Sequence, residues 1–137
     1  NYGSNLKSGG KYLLIKVCMK LIRSFGHAWD GLKYCFKTQL NFRIHLAVML
    51  FVIAFGVFFN ITTTEWIAVI FCGMLVLVLE MVNTAIEYLC DTVTKEIHPA
   101  VKIIKDVSAA AVLLAAAGSV IIGLIIFLPK IYNLFKI

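Results

Sequence analysis

The acidic residues of this chain are few and gathered. There are seven, and five of them (Glu80, Glu87, Asp91, Glu96 and Asp106) lie in the single stretch LEMVNTAIEYLCDTVTKEIHPAVKIIKD. Wound as a helix at 100° per residue, Glu80, Asn83, Glu87 and Asp91 fall within roughly an 80° arc. Glu80 and Glu87 are then about 10 Å apart along the axis. Carboxylates in or beside a strongly apolar segment are costly, and by default they mark function. The chemistry that matches this set, with Lys105 following it, is phosphoryl transfer. That reaction needs a divalent cation to screen the phosphates, a positive side chain on the phosphate oxygens and a group that accepts the alcohol's proton. Glu87 is placed to be a ligand of Mg²⁺, which takes hard oxygen donors and often binds through one or two carboxylates plus phosphates. Lys105 can contact phosphate, and Asp106 can position that lysine or bind a nucleotide's ribose or base. Glu80, about two turns deeper and partly desolvated, is placed as general base toward a lipid hydroxyl. Asn83 can hydrogen-bond either carboxylate or a phosphate.

Each residue also has a plainer reading. Glu80 can be a structural carboxylate bonded to another helix, or an acid that carries an ion. Lys105-Asp106 alone would be an ordinary helix-entry pair, and a histidine before proline, as in His98-Pro99, is usually a cap or turn residue. No glycine-rich phosphate loop occurs anywhere, which argues against a P-loop or soluble-kinase nucleotide fold.

The elements that position these groups are membrane helices. With 137 residues, 61% of them hydrophobic, and a mean hydropathy of +0.94, the chain is too apolar for a soluble domain of its length. The first span is expected from about Phe42 to Phe59, with Arg43 and His45 at its entry and Asn60 ending it. Thr62 and Glu65 stand at capping-box spacing before the second span, which starts at Trp66 and must continue as helix through Tyr88 to cross about 30 Å of hydrocarbon. The third helix is expected to begin at Pro99, with its apolar part from about Val107 to Leu128. It is rich in Ala, Ser and Gly, and Ala111, Ala115 and Ser119 recur at the four-residue spacing that lets membrane helices pack closely.

Ahead of the spans, Leu14, Val17, Leu21, Phe25, Trp29, Leu32 and Phe36 form one helical stripe, and Lys16, Lys20 and Arg23 form another. Such a helix suits the membrane surface, although Gly26 and Gly31 can break or bend it. The fold class expected is therefore an all-α integral membrane protein with three transmembrane helices and an N-terminal amphipathic surface helix. Residues 1–10 read as a disordered tail or expression remnant, 11–40 as the interfacial helix and 41–137 as the transmembrane domain.

The formal charge of +6 follows topology and does not form a nucleic-acid-binding face. Eleven Lys and Arg precede the first span or lie between the second and third, against two in the tail and none in the first loop. That bias puts the N-terminus and the acidic stretch in the cytoplasm. Cys18, Cys35, Cys72 and Cys90 show no metal-site spacing and read as small buried apolar residues. No signal-peptide pattern is visible near the start.

These residues resemble a known family. Glu80-x-x-Asn83-Thr84-Ala85-Ile86-Glu87, then Asp91, His98-Pro99 and Lys102-x-x-Lys105-Asp106-x-x-Ala109-Ala110-Ala111-Val112 are similar to the prokaryotic diacylglycerol kinases, as are Ala28-Trp29-Asp30-Gly31-Leu32 and Asn41-Phe42-Arg43. The His-Pro turn is more similar to the Gram-positive branch, whose members phosphorylate undecaprenol. The resemblance implies a multi-pass protein of the bacterial plasma membrane, a homotrimer with sites built between neighbouring subunits. It implies ATP and Mg²⁺, Glu80 as general base, Glu87 and a surface-helix glutamate as metal ligands, and Lys105 and Asp106 at the nucleotide. The loop around Glu96, Ile97 and His98 corresponds to a segment covering the nucleotide, and Lys20, Trp29 and Arg43 are carried as lipid-substrate positions.

The chain departs from the family at Gln39, where that glutamate usually stands. An amide keeps a carbonyl oxygen and loses the charge, so Gln39 is carried as a metal-site position with weakened affinity or turnover. The expected function is transfer of the ATP γ-phosphate to undecaprenol. Diacylglycerol is an alternative acceptor, and the competing classes are an ion-translocating subunit and a non-catalytic assembly or anchoring subunit.

Overall fold

The computed structural model of the chain describes residues 3–93 and 98–135, with side chains from residue 15 onward. Four helices follow one another: α1 (Gly3–Thr38), α2 (Leu40–Phe58), α3 (Thr63–Val93) and α4 (Pro99–Phe135). The last three are long and apolar enough to cross a membrane. Among the described residues there is no strand.

α1 runs unbroken through Gly26 and Gly31 and begins at Gly3, inside the stretch expected as a tail. Its apolar stripe is bare, with Leu21, Phe25, Trp29 and Phe36 all exposed. Lys33 lies with its ammonium 5.7 Å from the centre of the Trp29 ring, and it also approaches Asp30 at 4.0 Å. A helix that shows aromatic side chains beside lysines has the composition of one lying at a headgroup layer. Cys18 on this helix is exposed, contrary to the buried role expected for it, while Cys35 and Cys90 are buried and Cys72 partly so.

The second compact unit runs from Thr38 onward. Its first turn shows why α2 stops where it does. Asn60 adopts φ 49°, a left-handed conformation that asparagine tolerates better than most residues. The amide N–H of Ile61 reaches back to the Gly56 carbonyl at 3.1 Å, and that of Asn60 to Val57 at 3.2 Å. These are the two bonds of a Schellman ending. Thr62 and Glu65 then form the expected capping box: the Thr62 N–H donates to Glu65 Oε2 at 2.7 Å, and the Glu65 N–H donates to Thr62 Oγ1 at 3.4 Å.

Gly56 is required by this turn. A Cβ at that position would lie 2.8 Å from Trp66 Cη2 and 3.0 Å from Ile61 Cδ1. Gly56→Ala is therefore expected to cost about 1–3 kcal/mol through overpacking, read as a lower thermal midpoint in detergent. An unchanged midpoint would mean that the Trp66 ring moves aside freely.

α3 packs against both α2 and α4. The apolar core lies at the turn end, where Ile61, Val69, Ile126 and Phe127 are buried among Phe55, Phe59 and Trp66. The Phe127 ring stands 6.3 Å from Phe55 and 6.2 Å from Phe59. Lys130 reaches Glu65 at 3.2 Å and ties the end of α4 to the start of α3. α4 continues through Pro129, beyond its apolar run. Most of the remaining apolar surface is bare, Leu113 and Leu114 at 70% and 74% exposure among it. Water cannot be the solvent for such a surface; lipid or further apolar protein can.

Candidate active site

The far end of the α3–α4 pair is held by polar contacts where the turn end is held by apolar ones. Helical periodicity brings Glu80, Asn83, Thr84 and Glu87 to the inner side of α3, and the first three are buried, Glu80 to 3% exposure. Glu87 is partly buried and Asp91, one turn further, is exposed. Burial thus falls steadily along the acidic face, from the apolar interior toward the helix end.

The hydrogen bonds form one connected set. Asn83 Nδ2 donates to Glu87 Oε1 at 3.0 Å. Asn83 Oδ1 accepts from Ser108 Oγ of α4 at 2.6 Å, and that hydroxyl also lies 2.9 Å from the Lys105 carbonyl. Lys105 Nζ donates to Asp91 Oδ1 at 2.5 Å and lies within electrostatic reach of Glu87. Lys105 is about one-third exposed and Asp91 two-thirds exposed, so this is a wet ion pair that orients the ammonium more than it stabilises the fold.

Glu80 is different. Its backbone carbonyl accepts from Thr84 Oγ1 at 2.9 Å, but among the described residues no side chain hydrogen-bonds its carboxylate. A carboxylate this buried and this little bonded keeps acceptor capacity free for a proton or a ligand.

The other expected positions are distributed as follows. Asp106 is exposed and does not hold Lys105, since Asp91 does. His98 Nδ1 accepts from the Ala100 N–H at 3.2 Å, which caps α4 ahead of Pro99 and leaves Nε2 as the outward donor. Gln39 occupies the N-cap position of α2 without capping it by its side chain; its Nε2 donates to Thr38 Oγ1 at 3.3 Å. Arg43 is exposed one turn into α2, and Lys20 and Trp29 are exposed on α1. Glu96 lies outside the described residues.

One participant was not singled out from the sequence. Ser108 was counted only among the small residues of the third helix, although it follows Lys105 by one turn on the same side.

The donor set fits Mg²⁺ and does not fit a metal held by protein alone. Among the described residues no three Asp, Glu, His or Cys side chains converge. Mg²⁺ dehydrates reluctantly and is commonly held by one or two carboxylates together with substrate phosphates. Glu87 offers one such carboxylate, oriented through Oε1 by Asn83 with Oε2 left over.

A family model, prokaryotic diacylglycerol kinase, matches residues 26–127. A diacylglycerol kinase of Synechocystis sp. is 39% identical over 133 residues, covering 93% of this chain and 76% of that protein. An undecaprenol kinase of Bacillus subtilis is 38% identical over 112 residues, covering 82% and 91%. A diacylglycerol kinase of Escherichia coli K12 is 28% identical over 102 residues, covering 74% and 84%. The chain belongs to the prokaryotic diacylglycerol kinase family. It is a membrane lipid kinase, and the ion-translocating and anchoring alternatives fall away.

Proposed function

We propose that the protein transfers the γ-phosphoryl group of ATP to undecaprenol, giving undecaprenyl phosphate and ADP. The observation that carries the reading is one constellation along the inner face of α3 and the start of α4. It comprises a Glu87 oriented by Asn83, a Lys105 paired with Asp91 and, two turns deeper, a buried Glu80 whose carboxylate no side chain bonds among the described residues.

In this reading the lipid hydroxyl gives its proton to the Glu80 carboxylate as its oxygen attacks the γ-phosphorus. The bond from that phosphorus to the β-phosphate oxygen breaks, and ADP leaves with its charge met by Lys105. Glu87 holds Mg²⁺, which when bound screens the phosphates. Asn83 orients Glu87. Asp106, Glu96 and His98 contact the nucleotide, and Lys20, Trp29 and Arg43 contact the lipid. Residues 11–40 act as the surface helix and 41–137 as the catalytic domain. The N-terminus and the site face the cytoplasm, and three subunits assemble with sites between neighbours. The excess of Lys and Arg at the site's end supports that orientation.

The choice of undecaprenol is supported by the 38% identity to the Bacillus subtilis protein and by the His98-Pro99 turn. Diacylglycerol remains the second reading because the Synechocystis relative, at 39%, is a diacylglycerol kinase. A panel with labelled ATP, comparing undecaprenol with diacylglycerol in detergent–lipid micelles, tests this. Preferential labelling of diacylglycerol overturns the acceptor, and labelling of neither overturns the reaction.

Gln39 supplies a separate prediction. If it stands at the edge of the metal site, Gln39→Glu adds a second hard, charged oxygen donor and lowers the Mg²⁺ concentration needed for half-maximal turnover by roughly tenfold, the size of effect typical of changes around a bound metal. An unchanged Mg²⁺ dependence removes Gln39 from the site.

A further inference from the structure

We infer that Ser108 is a positioning residue that sets the direction of the Glu87 carboxylate through the Asn83 amide. The inference rests on the reading of Glu87 as the metal-holding acid.

Hydroxyls on helices commonly bond back to a carbonyl one turn earlier. Ser24, Thr84, Thr92 and Ser119 all do so, each to the carbonyl of the residue four before it. Ser108 has the same kind of option in the Lys105 carbonyl at 2.9 Å, yet it also reaches across to Asn83 Oδ1 on α3 at the shorter distance of 2.6 Å.

The direction of the donation follows from what each group can do. An ionised Glu87 only accepts, so the amide nitrogen of Asn83 must face it and the amide oxygen must face α4. The group on α4 must then be a donor, and the hydroxyl of Ser108 is one. An amide turned the other way would set its oxygen against the Glu87 carboxylate, acceptor against acceptor. Asn83 is 6% exposed, so water is poorly placed to replace a lost partner, and an unsatisfied buried amide oxygen is unfavourable. Ser108 therefore selects one of the two amide orientations, and that orientation fixes Oε1 of Glu87 while leaving Oε2 available. Groups that orient a metal's ligands from behind typically change metal affinity by 10–100-fold when removed.

The test uses the full chain in detergent with a non-hydrolysable ATP analogue and Mn²⁺ as the paramagnetic probe, titrated by electron paramagnetic resonance. Ser108→Ala is expected to weaken Mn²⁺ binding by about tenfold. Ser108→Thr, which keeps the hydroxyl, is expected to stay close to the wild type. In an Asn83→Ala background Ser108→Ala is expected to add nothing, because the two act as one unit. Retained helical circular dichroism separates the effect from unfolding. Should the alanine variant unfold, Ser108→Cys, whose thiol is only a weak donor, carries the same expectation. Unchanged Mn²⁺ affinity in Ser108→Ala, a threonine variant as weak as the alanine one, or an equal loss in both backgrounds would overturn the inference while leaving the metal reading intact. A wild type that binds no Mn²⁺ with the analogue would instead overturn the metal reading at Glu87, and this inference with it.

Discussion

Glu80→Gln is expected to lower the turnover number by about 10²–10⁴, the usual contribution of a positioned general base, with nucleotide affinity little changed. The amide is nearly isosteric, so the packing of a residue buried to 3% exposure is preserved and only the ability to take a proton is removed. Two features of the site direct the loss toward turnover. The Glu80 carboxylate makes no side-chain hydrogen bond among the described residues, and it lies about two helical turns deeper than Glu87. It is thus removed from the end of α3 where Lys105 meets Asp91. Turnover measured at saturating ATP and lipid, beside binding of a non-hydrolysable analogue, separates the two effects. A variant that turns over normally would show that some other group accepts the proton.

Glu87→Gln is expected to act on the opposite quantity. Removing the one charged oxygen donor oriented by Asn83 should weaken metal–nucleotide binding by about 10² or more, at the upper end of what perturbing a metal site costs. Part of the lost rate should return at high Mg²⁺. The amide also changes the partner of Asn83 Nδ2 from a carboxylate to a carbonyl at best, which weakens a charge-assisted bond. Equal, partial losses of turnover and affinity in both variants would argue against dividing the roles between these acids.

Features internal to one helix were legible from sequence. The acidic face of α3 follows from spacing alone, since positions 80, 83, 87 and 91 must share a side of any α-helix. The stop at Asn60 and the Thr62–Glu65 box are equally local, because each needs only residues within one turn. What could not be read was azimuth, the rotation of one helix about its axis relative to its neighbour. That rotation is decided by packing along α3 and α4, and it determines that Lys105 turns to Asp91 and not to the adjacent Asp106. It also decides that Ser108, one small residue in a run of alanines, meets Asn83. The continuation of α4 through Pro129 was hidden for another reason. Proline disfavours the interior of a helix through a missing N–H and a ring clash, and a pattern of residue types does not say when the surrounding contacts outweigh that preference. Here Lys130, the next residue, is tied to Glu65, and Ile131 packs on the turn-end core.

Among the described residues two ion pairs join α3 to α4, Glu65–Lys130 and Asp91–Lys105. At 1.5 Å per residue, the acids that anchor them are about 39 Å apart along α3, close to the full depth of a bilayer with its headgroups. The unbroken helix between those acids makes α3 itself a strut of fixed length. In a bilayer of shorter-chain lipids it must lean, or pucker the lipid around it.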